Sequence, residues 1–162
     1  MDSLSANRRS AGYWVRAWLP VLLAILVIVT ESTAYFGADR TSAPLRWIFE
    51  HLLGPVSDAR WELIHHYIRK SGHFLGYGLI GITWLRAWWM TFPAWSFLHS
   101  SLLAVAGTAL IASADEFHQT FLPNRTGLFR DVVLDTCGAI VLQLIAYLML
   151  RLFRPRQLMH AA

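Results

Sequence analysis

Four apolar runs, at 17–29, 72–90, 95–114 and 132–150, constrain this chain more than any other feature. The first continues through 30–36 past a polar patch holding Glu31, the second is interrupted only by Arg86, and the fourth contains Asp135. Each then approaches the ~20 residues that carry a helix across ~30 Å of hydrocarbon. A backbone in lipid must satisfy its own hydrogen bonds, so such runs are expected to be helical. Composition agrees: charged residues make up 15% and hydrophobic residues 56%, whereas a soluble domain carries about a quarter charged residues. A globule of 162 residues with so little polar surface would be poorly solvated. The expected fold is a single all-α, polytopic membrane domain over 1–162, with spans near 14–36, 71–90, 95–117 and 131–153.

The first run also has the layout of a signal peptide, with Arg8, Arg9 and Arg16 ahead of it and Ser32-Thr33-Ala34 as a cleavage site. Between the first two runs lies the only long loop, 37–70, divided by Gly54-Pro55. Ser57 or Asp58 can cap a following helix, with Trp61, Ile64, Tyr67 and Ile68 on its apolar side. The spacing predicts an interfacial amphipathic helix leading into the second span, with a solvated loop as the alternative.

A net charge of +4 and a pI near 9.7 would suit a nucleic-acid binder only if the bases shared one soluble face. Instead the fourteen Lys and Arg sit at the edges of apolar runs, as topology determinants do. With a cytoplasmic N-terminus, Arg8, Arg9, Arg16, Arg86, Arg151, Arg154 and Arg156 fall inside. Arg40, Arg46, Arg60, Arg69, Lys70, Arg125 and Arg130 fall outside, so the counts tie. The acid-free tail tips the expectation toward cytoplasmic termini. The single cysteine, Cys137, excludes an internal disulfide and is expected to be a small helix-packing residue.

In a four-span hairpin, the end of span one, the start of span two, the end of span three and the start of span four share a face. The costly polar residues occur at those places. Lys70, His73 and Tyr77 form one helical stripe, spaced i, i+3, i+7. Asp115, Glu116, His118 and Gln119 end span three; Asn124, Arg125 and Arg130 follow; Asp131 and Asp135 open span four. A charge at bilayer depth costs about 3 kcal/mol, so such groups usually pair or line a cavity. Lys70, Arg125 and Arg130 are expected to offset part of the acid excess. Protonated His73 or His118, a raised carboxylate pKa or a bound cation remains for the rest.

The ordered pieces Lys70-x-x-His73-x-x-x-Tyr77, Asp115-Glu116-x-x-Gln119, Pro123-Asn124-Arg125 and Asp131-x-x-x-Asp135-x-x-Gly138 resemble the VanZ-like family over about 70–150. Asn124 stands where that pattern has Gly, and Asp135 where it has Asn. The resemblance implies a small membrane protein and an association with teicoplanin resistance; it supplies no enzymatic mechanism.

The chemistry open to these residues falls into classes. Asp115, His118 and Gln119 share a helix face, with Glu116 and His73 as possible neighbours, but His-x-x-x-His zinc spacing is absent and no metal or other cofactor is expected. No G-x-S-x-G elbow surrounds Ser71 or Ser113. Acid–base catalysis by Glu116 with His73 on a lipid-linked substrate is the enzymatic alternative. A carboxylate relay through Glu31, Asp115 and Asp135 is a third. The leading expectation is a non-enzymatic envelope accessory protein in a bacterial inner membrane. Its partners would be an anionic lipid or lipid-linked envelope intermediate, not nucleic acid. Lys70, Arg125 and Arg130 would hold a phosphate, Arg by its bidentate fork.

Overall fold

A computed structural model describes residues 9–123 and 125–153. Asn124, and the Arg8, Arg154 and Arg156 used above for orientation, lie outside the described residues. Five helices follow in order: α1 (Ala11–Glu31), α2 (Ala38–Leu53), α3 (Asp58–Thr91), α4 (Phe97–Gln119) and α5 (Phe129–Leu152). A 3₁₀ turn at Ala34–Phe36 joins α1 to α2, and no strand occurs among the described residues.

Local chemistry explains the boundaries. Ser10 and Ser96 take the N-cap positions of α1 and α4, their hydroxyls accepting the Tyr13 and His99 amides. Gly54 ends α2 at φ 92°, a conformation that favours glycine, and its amide donates to the Glu50 carbonyl at 3.0 Å. Pro55 then prevents continuation. Ser57 occupies the N-cap of α3 without a side-chain capping bond, while Asp58 instead accepts from Arg46 at 2.7 Å.

Three expectations change here. Residues 38–53 form a helix, so the expected loop is largely ordered. The amphipathic segment is not a separate helix: α3 runs unbroken for 34 residues, because no proline interrupts it and Gly72, Gly76, Gly78 and Gly81 are tolerated within it. Its Trp61 is buried but Tyr67 and Ile68 are exposed, so the expected apolar stripe is not the face that packs. The first helix stops at Glu31 rather than reaching 36.

α1, α4 and α5 are each long and apolar enough to cross a membrane. α3 lies against all three, and α2 leans on its N-terminal part. The core is built from small residues. Ala17, Ala87, Ala104, Ala112 and Ala139 are fully buried, with Tyr77 and Ile80 the largest of the fully buried side chains among the described residues. A Cβ added at Gly138 would run into the Phe74 carbonyl, and one at Gly81 would meet Ala139 at 2.7 Å. Such close backbone approach characterises helix pairs in lipid, where small residues replace large apolar ones at the interface. Large apolar side chains point outward instead, Leu22, Leu26, Leu110 and Leu144 among them. Cys137 is exposed on this outer surface, contrary to its expected packing role.

Candidate functional site

The polar stripes converge because α1, α3, α4 and α5 bring their matching ends together. On α3, Tyr77 is fully buried and its hydroxyl donates to Asp115 Oδ2 at 2.9 Å. Gln119 Nε2 donates to the same oxygen at 3.0 Å from one turn along α4. One turn back on α3, His73 Nδ1 lies 3.5 Å from Asp135 Oδ2 of α5, whose carboxylate is completely buried. Lys70 pairs with Asp131 at the start of α5. Glu116 Oε2 accepts the Leu128 amide at 2.8 Å, tying α4 to the start of α5.

The loop base behaves differently from its expectation. Arg125 forms no ion pair among the described residues. Its Nη2 donates to the Glu31 and Thr33 carbonyls, at 2.8 and 3.2 Å. These carbonyls lie where α1 ends and the helix leaves them without partners of its own. Arg130 is exposed and likewise forms no ion pair among the described residues, so neither arginine neutralises an acid by direct contact. His118 is diverted as well, its Nδ1 lying 3.3 Å from Ser32 Oγ. Asp115, His118 and Gln119 therefore do not act as one ligand set.

Two cavities meet at this end. The larger, about 530 Å³, is walled by apolar residues of α1 and α3 such as Val27, Ile28, Leu79 and Ile80. The smaller, about 260 Å³, is polar, with Arg69, Lys70 and Arg130 on its wall and Asp131 the only acid. Arg69, His73, Gln119 and Arg125 line both. Burial, with Arg69 adding its repulsion, pushes the Arg125 guanidinium below its ordinary pKa. It nevertheless stays charged at neutral pH, as Arg does throughout proteins. The two cavities therefore set a cationic wall next to an apolar one, with four residues in common.

Sequence reasoning missed Arg69 and His66, which both line the polar cavity. The signal was present: His66, Lys70, His73 and Tyr77 fall at i, i+4, i+7 and i+11, one continuous helical stripe. The opposite end carries anchors, a buried Gln143 that accepts from Ser101 and donates to the Gly81 carbonyl, and a cavity of about 960 Å³ between α4 and α5. Arg86 donates to the Arg16 carbonyl at 2.6 Å, and Trp18 packs edge-on against Trp84 and Trp88.

Comparison with known proteins adds one match. A family model described as VanZ/LLP1 matches residues 17–152, well beyond the segment that carried the motif resemblance. No curated protein and no solved structure matches the chain.

Proposed function

This chain belongs to the VanZ/LLP1 family, and from that premise we propose that it binds an anionic lipid or a lipid-linked envelope intermediate without transforming it. The observation that carries the reading is the junction of the two cavities at Arg69, His73, Gln119 and Arg125. A phosphate or pyrophosphate fits the polar side, where Arg69, Arg125 and Arg130 lack carboxylate partners among the described residues. Two guanidiniums facing one space repel each other, and an anion between them removes that cost. An acyl or isoprenoid chain fits the apolar side, which opens along α1 and α3.

The topology proposed with it has four spans, α3 supplying the fourth. At 1.5 Å per residue α3 is about 51 Å long, longer than the hydrocarbon layer, so its N-terminal part would stand in the interface beside α2. Its C-terminal part, near 71–90, packs against the three apolar helices and would cross with them. We place the protein in a bacterial inner membrane with both termini cytoplasmic, which puts the cavities on the outer face.

Native mass spectrometry after gentle detergent extraction tests the reading. Wild type should carry a phosphorus-containing lipid that Arg125→Ala loses; equal lipid on both proteins would overturn it. The association with glycopeptide susceptibility makes a cellular forecast. Expression should lower susceptibility to teicoplanin in wild type but not with Arg125→Ala.

One observation favours an enzymatic reading: Glu116 Oε1 is buried without a hydrogen-bond partner, in the same group as His73. Glu116→Gln keeps the shape and removes the acid. A binder should hold its lipid in that variant, whereas an enzyme should retain substrate and lose turnover.

A further inference from the structure

We propose that His73, Glu116 and Asp135 form a binding site for one divalent transition-metal ion, of the Zn²⁺ or Mn²⁺ class, inside the helix bundle. The three residues come from three helices, α3, α4 and α5, and one ligand atom from each lies within 4.8 Å of the others. Asp135 is fully buried and Glu116 is 4% exposed. His73 Nδ1, Glu116 Oε1 and both carboxylate oxygens of Asp135 are buried with no hydrogen-bond partner among the described residues. Buried polar atoms are normally satisfied; His73 Nδ1 faces Asp135 Oδ2 at 3.5 Å, but Glu116 Oε1 and Asp135 Oδ1 beside them meet nothing among the described residues, and together they point at a shared absent partner. The groups nearby that might have served are engaged elsewhere. Lys70 holds Asp131, and Tyr77 and Gln119 hold Asp115.

The geometry and the charge both suit a metal. Two donors held tetrahedrally at about 2.1 Å from an ion stand about 3.4 Å apart. His73 Nδ1 and Asp135 Oδ2 are already 3.5 Å apart. Two carboxylates bring two negative charges, which a divalent ion balances. One imidazole with two carboxylates is a mixed nitrogen and oxygen set, better matched to Zn²⁺ or Mn²⁺ than to Mg²⁺ or Ca²⁺, which prefer oxygen alone. Of the three residues only His73 lines the cavities. The ion therefore sits behind the cavity wall, as a part of the bundle, rather than between headgroup and arginines. The site shares only His73 with the proposed lipid reading and does not depend on it.

Equilibrium dialysis of the metal-stripped full chain in detergent against ZnCl₂ or MnCl₂ tests this, with no lipid added, so that the lipid reading stands or falls separately. Wild type should take up one ion per chain. Asp135→Asn and Glu116→Gln should each reduce uptake at least tenfold, while His99→Ala, on a surface histidine, should not. No stoichiometric uptake by wild type, or uptake by Asp135→Asn equal to wild type, would overturn the site. If the variants misfold, Mn²⁺-loaded wild type decides: pulsed electron paramagnetic resonance should show coupling to one imidazole nitrogen, and its absence overturns the assignment.

Discussion

Tyr77 shows how a single side chain holds the polar end together. Its phenol is completely buried and donates to a carboxylate that, among the described residues, has one other side-chain donor, Gln119. Tyr77→Phe keeps the packing but leaves Asp115 short of a donor in low-dielectric surroundings. Losing a hydrogen bond to a charged, buried acceptor costs about 1–3 kcal/mol, so the variant should melt several degrees lower in detergent. An unchanged melting temperature would show that the bond from Tyr77 to Asp115 contributes nothing to stability. The pairing of Tyr77 with Asp115 was legible in outline, since helical spacing and hairpin threading put both at one end. The grouping of His73 with Glu116 and Asp135 was not. It requires side chains from three helices, and the metal set weighed from the sequence, Asp115, His118 and Gln119 with Glu116 and His73 as possible neighbours, left out Asp135. Arg125 was legible as a polar-end residue but not in its contacts, because unpaired carbonyls at the end of α1 leave no trace in side-chain identity.

Among the elements, α1, α4 and α5 were readable because a helix able to cross a membrane must combine length with hydropathy. α2 was not, for the converse reason. None of its residues is buried, and its apolar stripe, Leu45, Ile48, Phe49 and Leu52 at helical spacing, covers only about two turns, far short of a span. It is held instead by particular contacts. Arg46 bridges Glu50 and Asp58, and His65 Nε2 lies 3.2 Å from Thr41 Oγ1 while its ring stacks on Trp61. Burial, with Arg69 adding to it, pushes the His65 pKa below its ordinary value. The docked state therefore favours neutral imidazole, whereas the undocked state takes up a proton at the ordinary pKa of about 6.5. Docking should be strongest above that pH and weaken as pH falls through it. Hydrogen exchange, corrected for intrinsic rates, should show α2 amides less protected at pH 5.5 than at 7.5. His65→Gln should abolish the difference; if the difference persists, another group drives it. The α3–α5 contact responds to size rather than charge. Gly138→Ala would press a methyl into the Phe74 carbonyl, and overpacking of this kind costs about 1–3 kcal/mol. It should lower the melting temperature and draw His73 away from Asp135. Ala substituted at exposed Ile140, facing outward on the same helix, should change neither.

For the whole molecule, the decisive matter is which ends of the helices lie on the same side of the bilayer. The contacts from Lys70 to Asp131 and from Arg125 to the end of α1 hold only if the α1–α2 and α4–α5 connections share a face. The α3–α4 turn, with the Arg9 contacts to the Met90 and Thr91 carbonyls, then belongs to the opposite face. This threading requires α3 to cross the membrane although it is the most polar of the four packed helices. The proposed crossing rests on Lys70, His73 and Tyr77 being spent within the bundle on α4 and α5, which hydropathy averaged along a helix does not register. Labelling tests it without ambiguity once the exposed Cys137 is replaced by Ser. Single cysteines at exposed Thr33 and Thr126 should react with a membrane-impermeant maleimide from the same side, and one at exposed Ala94 only from the other. With cytoplasmic termini, Thr33 and Thr126 should label in intact cells stripped of their outer membrane, and Ala94 only after lysis. The reverse pattern would invert the protein and put the cavities in the cytoplasm. Thr33 and Ala94 labelling from one side would mean that α3 does not cross, and the site built on His73 could not exist.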